Sequence, residues 1–310
     1  MSVVSSVCVT VPATTANLGP GFDCIGAALT LYNEFKFTRQ EVDQNQRLLL
    51  NVTGTEAARV TTDESNLVYQ VFIEFYQHIN QTPPPVKIEI QLGVPLARGL
   101  GSSATAIVGG LVGANVLAGE ILTQRQLIKL AIAMEGHPDN VVPAFLGGCR
   151  LAATSDTGWE ICDIPWCKDI VPVVAIPDFE LSTSVARKVL PTQVSRGDAI
   201  FNMAHLGLLL RGLETGNKNW LQGALQDKLH QPYRKSLIHG YENIYIAALS
   251  AGAYGMIISG AGPTLLALSD TSNSPDVAAA MASEWHKQGI KAQVQALQID
   301  QKGATSVVQG

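Results

Sequence analysis

Positive charge is scarce in this 310-residue chain: 21 Lys and Arg stand against 26 Asp and Glu, a formal net charge of −5. A protein with no basic excess presents no general face to nucleic acid or to an acidic membrane, and neither partner is expected. Any anionic ligand must then be held locally, by particular Arg side chains and backbone amides. Long hydrophobic runs are missing as well. The most apolar stretch ends at Gly119-Glu120, short of the roughly eighteen residues a membrane-spanning helix needs. The N-terminal residues have no basic segment followed by an apolar core, so no secretory signal is expected. The five cysteines (Cys8, Cys24, Cys149, Cys162 and Cys167) are odd in number and include no Cys-x-x-Cys spacing. That excludes the common zinc and redox motifs and points to reduced thiols in a cytoplasmic protein.

What is present is core-forming material, 46% hydrophobic against 15% charged residues, which is the balance of a well-cored globule. The length exceeds one average domain, so one large or two intimately joined domains are expected. Elements of both kinds alternate along the whole chain, an α+β layer architecture.

The chain is organised around Pro95-Leu-Ala-Arg-Gly-Leu-Gly-Ser-Ser-Ala-Thr105. An alternating segment, residues 86–92, leads into it as a half-buried strand, and residues 104–118 leave it as a buried, small-residue helix. A glycine-rich loop opening onto a helix N-terminus offers free N–H groups and the positive end of a dipole, a site for phosphate. Ser102 and Ser103 stand where a hydroxyl caps the helix, binds a phosphate oxygen or coordinates Mg²⁺. A P-loop is excluded, because Gly101 is followed directly by Ser102 and no Lys is near. The Gly99-x-Gly101-x-x-Ala104 spacing fits a dinucleotide loop, but the second strand with its acidic end is missing: Glu120 falls at about the right distance yet lies between two helical stretches. The loop therefore reads as a phosphate cradle of a third kind, the alternative being a glycine turn with a serine cap and no ligand.

In order, residues 7–11 read as a strand ending at Pro12. Residues 13–23 read as a turn-rich loop carrying Asn17 and Asp23, with an Asx turn and a helix cap as their plain structural uses. Residues 25–38 and 48–54 read as further strands, and residues 67–79 as an amphipathic helix capped by Ser65 or Asn66. A helix over 124–135, capped by Thr123, runs into Gly136-His-Pro-Asp-Asn140, where Glu135, His137, Asp139 and Asn140 gather at a break. The second half reads as a strand over 170–176, a helix opening at Ser182 or Thr183, and helices over 198–213, 220–229 and 238–248. Strands over 254–259 and 265–268 follow, on either side of a glycine turn at 260–264, then a helix over 275–288 and a strand over 292–297.

Three of these segments, Pro12-x-x-x-Ala-Asn-Leu-Gly, Pro95 to Thr105, and Ser259-Gly-Ala-Gly-Pro-Thr264, resemble in order the three motifs of the GHMP kinases. Four others, Ala16 to Asp23, Glu135 to Asn140, Leu181 to Arg187 and His230-Gln-Pro-Tyr-Arg234, resemble the homoserine kinase branch of that superfamily. The resemblance implies Mg²⁺-dependent transfer of the ATP γ-phosphate to the hydroxyl of L-homoserine, in threonine biosynthesis. It implies an N-terminal ATP-binding domain like ribosomal protein S5 domain 2 (residues 1–160) and a C-terminal ferredoxin-like α/β-plait domain (residues 161–310), with the site between them. Pro95, Leu96, Ala97, Arg98, Gly99, Leu100, Gly101, Ser102, Ser103, Ala104 and Thr105 would then wrap the phosphates and Asn66 lie near the adenine. Ser103, or Ser102, and Glu135 would hold Mg²⁺. Asn17, Asp23, His137, Thr183, Arg187, Arg234, Gly260 and Gly262 would hold the amino acid. Asn140 stands where some relatives carry a basic Asp, and is read as a positioning residue with the base left open. A homodimer is a further expectation from the family. The chemistry agrees, since an amino acid needs an anion such as Asp23 for its ammonium and guanidinium groups such as Arg187 and Arg234 for its carboxylate. The alternatives are another GHMP small-molecule kinase, of mevalonate or a sugar, and a non-catalytic metabolite sensor on the same fold.

Overall fold

The computed structural model describes residues 4–41 and 47–309. Strands β1 (Ser6–Ala16), β2 (Ile25–Arg39) and β3 (Leu48–Gly54) come first, then α1 (Leu67–His78) and β4 (Val86–Leu92). The central helix α2 (Ser102–Leu117) is followed by α3 (Gln124–Glu135), α4 (Pro138–Leu146) and the hairpin β5 (Cys149–Ser155) and β6 (Gly158–Ile164). The second half holds β7 (Val171–Pro177), α5 (Thr183–Lys188), α6 (Arg196–Thr215), α7 (Lys218–Ala224), α8 (Gln231–Arg234) and α9 (Tyr241–Ser250). It closes with β8 (Gly255–Ile258), β9 (Leu265–Ser269), α10 (Ser274–Lys287), β10 (Ala292–Ala296) and β11 (Thr305–Gln309).

Two mixed layers result. The first sheet runs β11-β1-β2-β4-β3, with β5 and β6 joined to β2, and the second runs β10-β7-β9-β8. β3 and β4 are parallel, with α1 as their crossover. β2 is long because, opposite β1, it serves two further neighbours: residues 34–39 pair with β4 and residues 25–27 with β5. β1 does not end at Pro12. It continues to Ala16, with its register against β2 slipping between Pro12 and Ala13. Proline lacks an N–H for the ladder, and the irregularity sits where that donor is missing. The expected cut after residue 160 falls within β6, and β11 returns from the chain's far end to β1.

Beyond its first turn α2 has no polar face, because it has little solvent side. Of its residues, Ile107, Val108, Leu111 and Ala114 are buried. A Cβ on Gly109 or Gly113 would strike the rings of Phe35 and Phe37, and one on Gly110 would meet Val71 of α1. The small residues therefore let the helix backbone lie directly on the sheet. Its N-cap is Gly101 in the left-handed region (φ 69°), not a serine; Ser102 and Ser103 are the first helical residues and their hydroxyls are left for other partners. α1 and α3 start as read, on Asn66 and on a Thr123–Gln126 capping box.

One hydrophobic cluster lies under the first sheet, around Phe35, Phe72, Ile88 and Leu111. Another lies behind the second, around Met281 and Trp285. A third joins Ala13, Leu18, Ile25 and Leu29 to Val174, Leu266, Leu209 and Leu221, so the two layers share a core. Among the described residues, no helix is long and apolar enough to cross a membrane. All five cysteines are free thiols.

Candidate active site

A cleft of about 580 Å³ is lined by residues from both layers. Its floor is the loop at 96–103 and the first turn of α2. The N–H groups of Ser102, Ser103 and Ala104 precede any carbonyl able to accept them within the helix, so they and the dipole offer a site for negative charge. Gly101 cannot carry a side chain, since a Cβ would run into the Thr14 hydroxyl. Leu96, Ala97, Arg98, Gly99, Gly101, Ser102 and Ser103 line the cleft. Leu100, Ala104 and Thr105 turn inward and are fully buried. Thr105 accepts from Asn33 Nδ2 and donates to the Ser102 carbonyl, each at 2.8 Å, which braces the loop from below. Pro95 is not among the lining residues.

Beside the helix N-terminus, α3 ends at Glu135 because Gly136 adopts the left-handed conformation (φ 88°). Ser103 Oγ donates to Glu135 Oε2 at 2.9 Å. Burial pushes the Glu135 carboxyl above its ordinary value, against the Ser103 hydrogen bond that favours the anion. Among the described residues there is no cluster of three or more His, Cys, Asp or Glu that could enclose a metal. An open pair of oxygens beside a phosphate cradle suits a hard cation completing its shell with phosphate and water.

His137 is the N-cap of α4 and Pro138 its first residue. His137 Nδ1 donates to Asp139 Oδ1 at 2.8 Å, and this bond raises the imidazole pKa despite burial. Thr14 Oγ1 donates to Asn140 Oδ1 at 2.8 Å, tying β1 to α4 under the cleft.

The opposite wall comes from residues 17–23 and the second layer. Asn17 holds a left-handed conformation (φ 71°) because both ends of its amide are engaged. Its Nδ2 donates to the Gly260 carbonyl at 2.8 Å and its Oδ1 accepts from the Asp23 N–H at 2.9 Å. Asp23 faces Arg187 in a two-point ion pair, with Nη1 and Nη2 at 2.9 and 2.8 Å from its carboxylate oxygens. Arg234 is only 1% exposed. Its Nε donates to the Ala186 carbonyl at 3.2 Å and its Nη1 to that of Gly260 at 3.0 Å. The Phe22 ring lies 5.1 Å from the Arg234 guanidinium and 5.7 Å from that of Arg187. Thr183 begins α5 at the rim, and Gly260 and Gly262 form the turn behind (φ 56° and 86°).

At the far end the wall is apolar, with Val60, Leu67, Val68, Phe35 and Ile90. Asn66 stands there as the cap of α1, accepting from the Val68 N–H at 2.9 Å and donating to the Thr61 carbonyl at 2.7 Å.

The cleft thus brings together Asn17, Asp23, Asn66, Glu135, His137, Asn140, Thr183, Arg187, Arg234, Gly260 and Gly262, which are scattered over about 250 positions of sequence. It also holds groups that sequence reading passed over. Asp139, noticed in its cluster but given no role, lines it, and Thr14 and Phe22 support it from behind. Phe22 stands beside Asp23 in a turn-forming segment, which was the available signal for it. Thr14 had none, because its partner is 126 residues away.

The description "GHMP kinases N terminal domain" matches residues 66–148, and "GHMP kinases C terminal" matches residues 209–290. The homoserine kinase of Nostoc punctiforme is 73% identical over 306 residues, which cover 99% of this chain and 100% of that protein. The homoserine kinase of Microchaete diplosiphon is 71% identical over 310 residues and the full length of both. A crystal structure of homoserine kinase from Cytophaga hutchinsonii superposes with a TM-score of 0.89 at 28% identity, covering 99% of each chain. L. major mevalonate kinase shares the fold alone, at a TM-score of 0.70 and 14% identity over 94% of each chain.

Proposed function

The chain belongs to the homoserine kinase family of the GHMP kinases, and on that premise we propose that it transfers the γ-phosphate of ATP to the side-chain hydroxyl of L-homoserine, with Mg²⁺, giving O-phospho-L-homoserine. The observation that carries this reading is the charge arrangement facing α2: one carboxylate, Asp23, and two guanidinium groups, Arg187 and Arg234, opposite a helix N-terminus. That set complements a zwitterionic amino acid on one side and polyphosphate on the other.

In this reading the first sheet with the returning β11 forms an ATP-binding unit, and the second sheet with its helices forms the substrate unit. The apolar end by Val60 and Leu67 takes the adenine, next to Asn66. The loop at 97–101 and the α2 N-terminus hold the phosphates through backbone N–H groups. Ser103 and Glu135 hold Mg²⁺, which neutralises charge on the phosphates when bound. Asp23, with Asn17 bracing its backbone, takes the ammonium, and Arg187 and Arg234 take the carboxylate, with His137, Thr183 and the Gly260–Gly262 turn closing around the side chain. Binding therefore exchanges the Asp23–Arg187 pair for two pairs to the ligand.

Phosphoryl transfer needs in-line placement and stabilisation of charge more than a strong base. Asn140 supplies placement: with its carbonyl oxygen engaged by Thr14, the amide nitrogen is left to face the cleft. The test is an ADP-release assay with ATP, Mg²⁺ and a panel of homoserine, mevalonate, galactose and shikimate. Release with homoserine is expected. Turnover of another panel member in its place, or of none, would overturn the reading.

A further inference from the structure

The phosphate loop contains an arginine that takes no part in the charge arrangement just described. Arg98 is 7% exposed, and each of its guanidinium nitrogens has a protein partner. Nε donates to the Pro177 carbonyl at 3.0 Å, Nη1 to that of Leu96 at 2.7 Å and Nη2 to that of Asp178 at 3.0 Å. Nη1 also lies 3.0 Å from Glu180 Oε1, and Nη2 lies 3.6 Å from Glu56 Oε1. Glu56 in turn accepts the Leu96 N–H at 2.6 Å and pairs with Arg59 at 2.7 Å, while Arg59 also pairs with Glu180. Two carboxylates and two guanidinium groups thus close a ring around residues 96–98.

The ring joins three walls of the cleft. Glu56 and Arg59 belong to the segment that continues through Val60 and Thr61 on the apolar, nucleotide side. Glu180 directly precedes Leu181, whose N–H donates to the Ala97 carbonyl at 3.3 Å, and then the helix carrying Thr183 and Arg187. Between them Ala97 sits in the left-handed region (φ 52°). That conformation is unfavourable for a non-glycine residue and persists only where the surroundings enforce it. Isolated exposed ion pairs hold little. A buried guanidinium whose planar fork meets three carbonyls and a carboxylate holds a backbone in place.

We propose that Arg98 is a positioning residue that sets the phosphate loop against both substrate walls, with Glu56 as its tie to the nucleotide side and Glu180 as its tie to the amino-acid side. The proposal rests on the kinase reading for the identity of the two ligands. It predicts separable effects. Equilibrium titrations of MgATP and of homoserine are made on the full chain and on Glu56→Ala, Glu180→Ala and Arg98→Gln, each with a thermal unfolding curve. Glu56→Ala should weaken MgATP by about fivefold or more, part of the roughly tenfold or greater effect of a lost charge-assisted hydrogen bond because the contact acts through the loop, and leave homoserine within about twofold. Glu180→Ala should do the reverse, and Arg98→Gln should weaken both. A purely structural role would lower the unfolding temperature without this division between ligands. If neither carboxylate variant weakens its own ligand, or each weakens both equally, the proposal fails. The two carboxylate variants decide it even where Arg98→Gln does not fold. A wild-type chain that binds MgATP but no homoserine would strike the kinase reading instead, and the Glu56→Ala titration with MgATP would still decide the tie.

Discussion

Arg234 is a charged residue with almost no exposure, held by two carbonyls and the face of Phe22. Burying a guanidinium without a carboxylate directly upon it is costly, and burial together with the nearby Arg187 depresses its pKa from the ordinary value. A site kept short of negative charge is ready for a ligand carboxylate. Arg234→Ala should therefore weaken homoserine by roughly 1.5–3 kcal/mol, about 10- to 150-fold, with MgATP affinity little changed. An unchanged KM for homoserine in a folded variant would remove Arg234 from the site. Glu135→Gln keeps the Ser103 contact but removes the anion, so it should lower kcat and shift the Mg²⁺ titration to higher concentration; a wild-type Mg²⁺ curve would exclude Glu135 as a ligand. Much of this was legible residue by residue. A carboxylate, two arginines and a Glu–His–Asp–Asn cluster are recognisable in one dimension. Their pairing is not: nothing in the order of residues reveals that Asp23 and Arg187, 164 positions apart, pair with each other.

At the scale of elements, the starts of α1, α3 and α5 were readable to within a residue, because a side-chain cap is a local contact, whereas α6 and α7, capped by Ser195 and Asn217, start two residues before the expected 198 and 220. The β5–β6 hairpin went unread, since Gly147 and Gly148 precede it and alternation is weak along β5 (Cys149–Ser155). The helix expected over 220–229 stops at Ala224, because the Asp227 carboxylate collects the N–H groups of Leu229, His230 and Gln231 and builds a turn instead. Asp270 does the same before α10. It accepts from Ser272 Oγ at 2.6 Å, from the Asn273 N–H at 2.8 Å and from Tyr254 OH at 3.2 Å. Led by the Ser272 hydrogen bond and opposed by desolvation, these contacts lower its pKa from 3.8 to about 2. A carboxyl whose pKa is depressed by folding stabilises the fold above its unfolded value, and that contribution fades as pH falls through the folded value. Asp270→Asn should thus be less stable than the parent at neutral pH, and the difference should shrink between about pH 4 and pH 2. Urea melts at pH 7 and near pH 2.5 would show it; a gap independent of pH would refute the assignment.

For the whole molecule, the α+β class and the loop-to-helix cradle followed from pattern and composition. The location of the cleft between two sheets did not, because it depends on the shared core around Leu18, Leu29, Leu209 and Leu266. With that core shared, the layers should unfold as one unit. MgATP at a hundredfold excess over its Kd should raise stability by about 2.7 kcal/mol and shift a single calorimetric transition as a whole. Two peaks, of which only one moves with nucleotide, would show that the layers melt separately.

The pairing of β11 with β1 sets Ser6 opposite Gln309 and Thr10 opposite Thr305. During synthesis β1 emerges before β2 and can align with it early, yet its outer edge waits for β11, nearly 300 residues later in the chain. Through that interval the nascent chain presents an open row of backbone donors and acceptors, the kind of edge that recruits other strands. A strand made late therefore seals the outer edge of one made early.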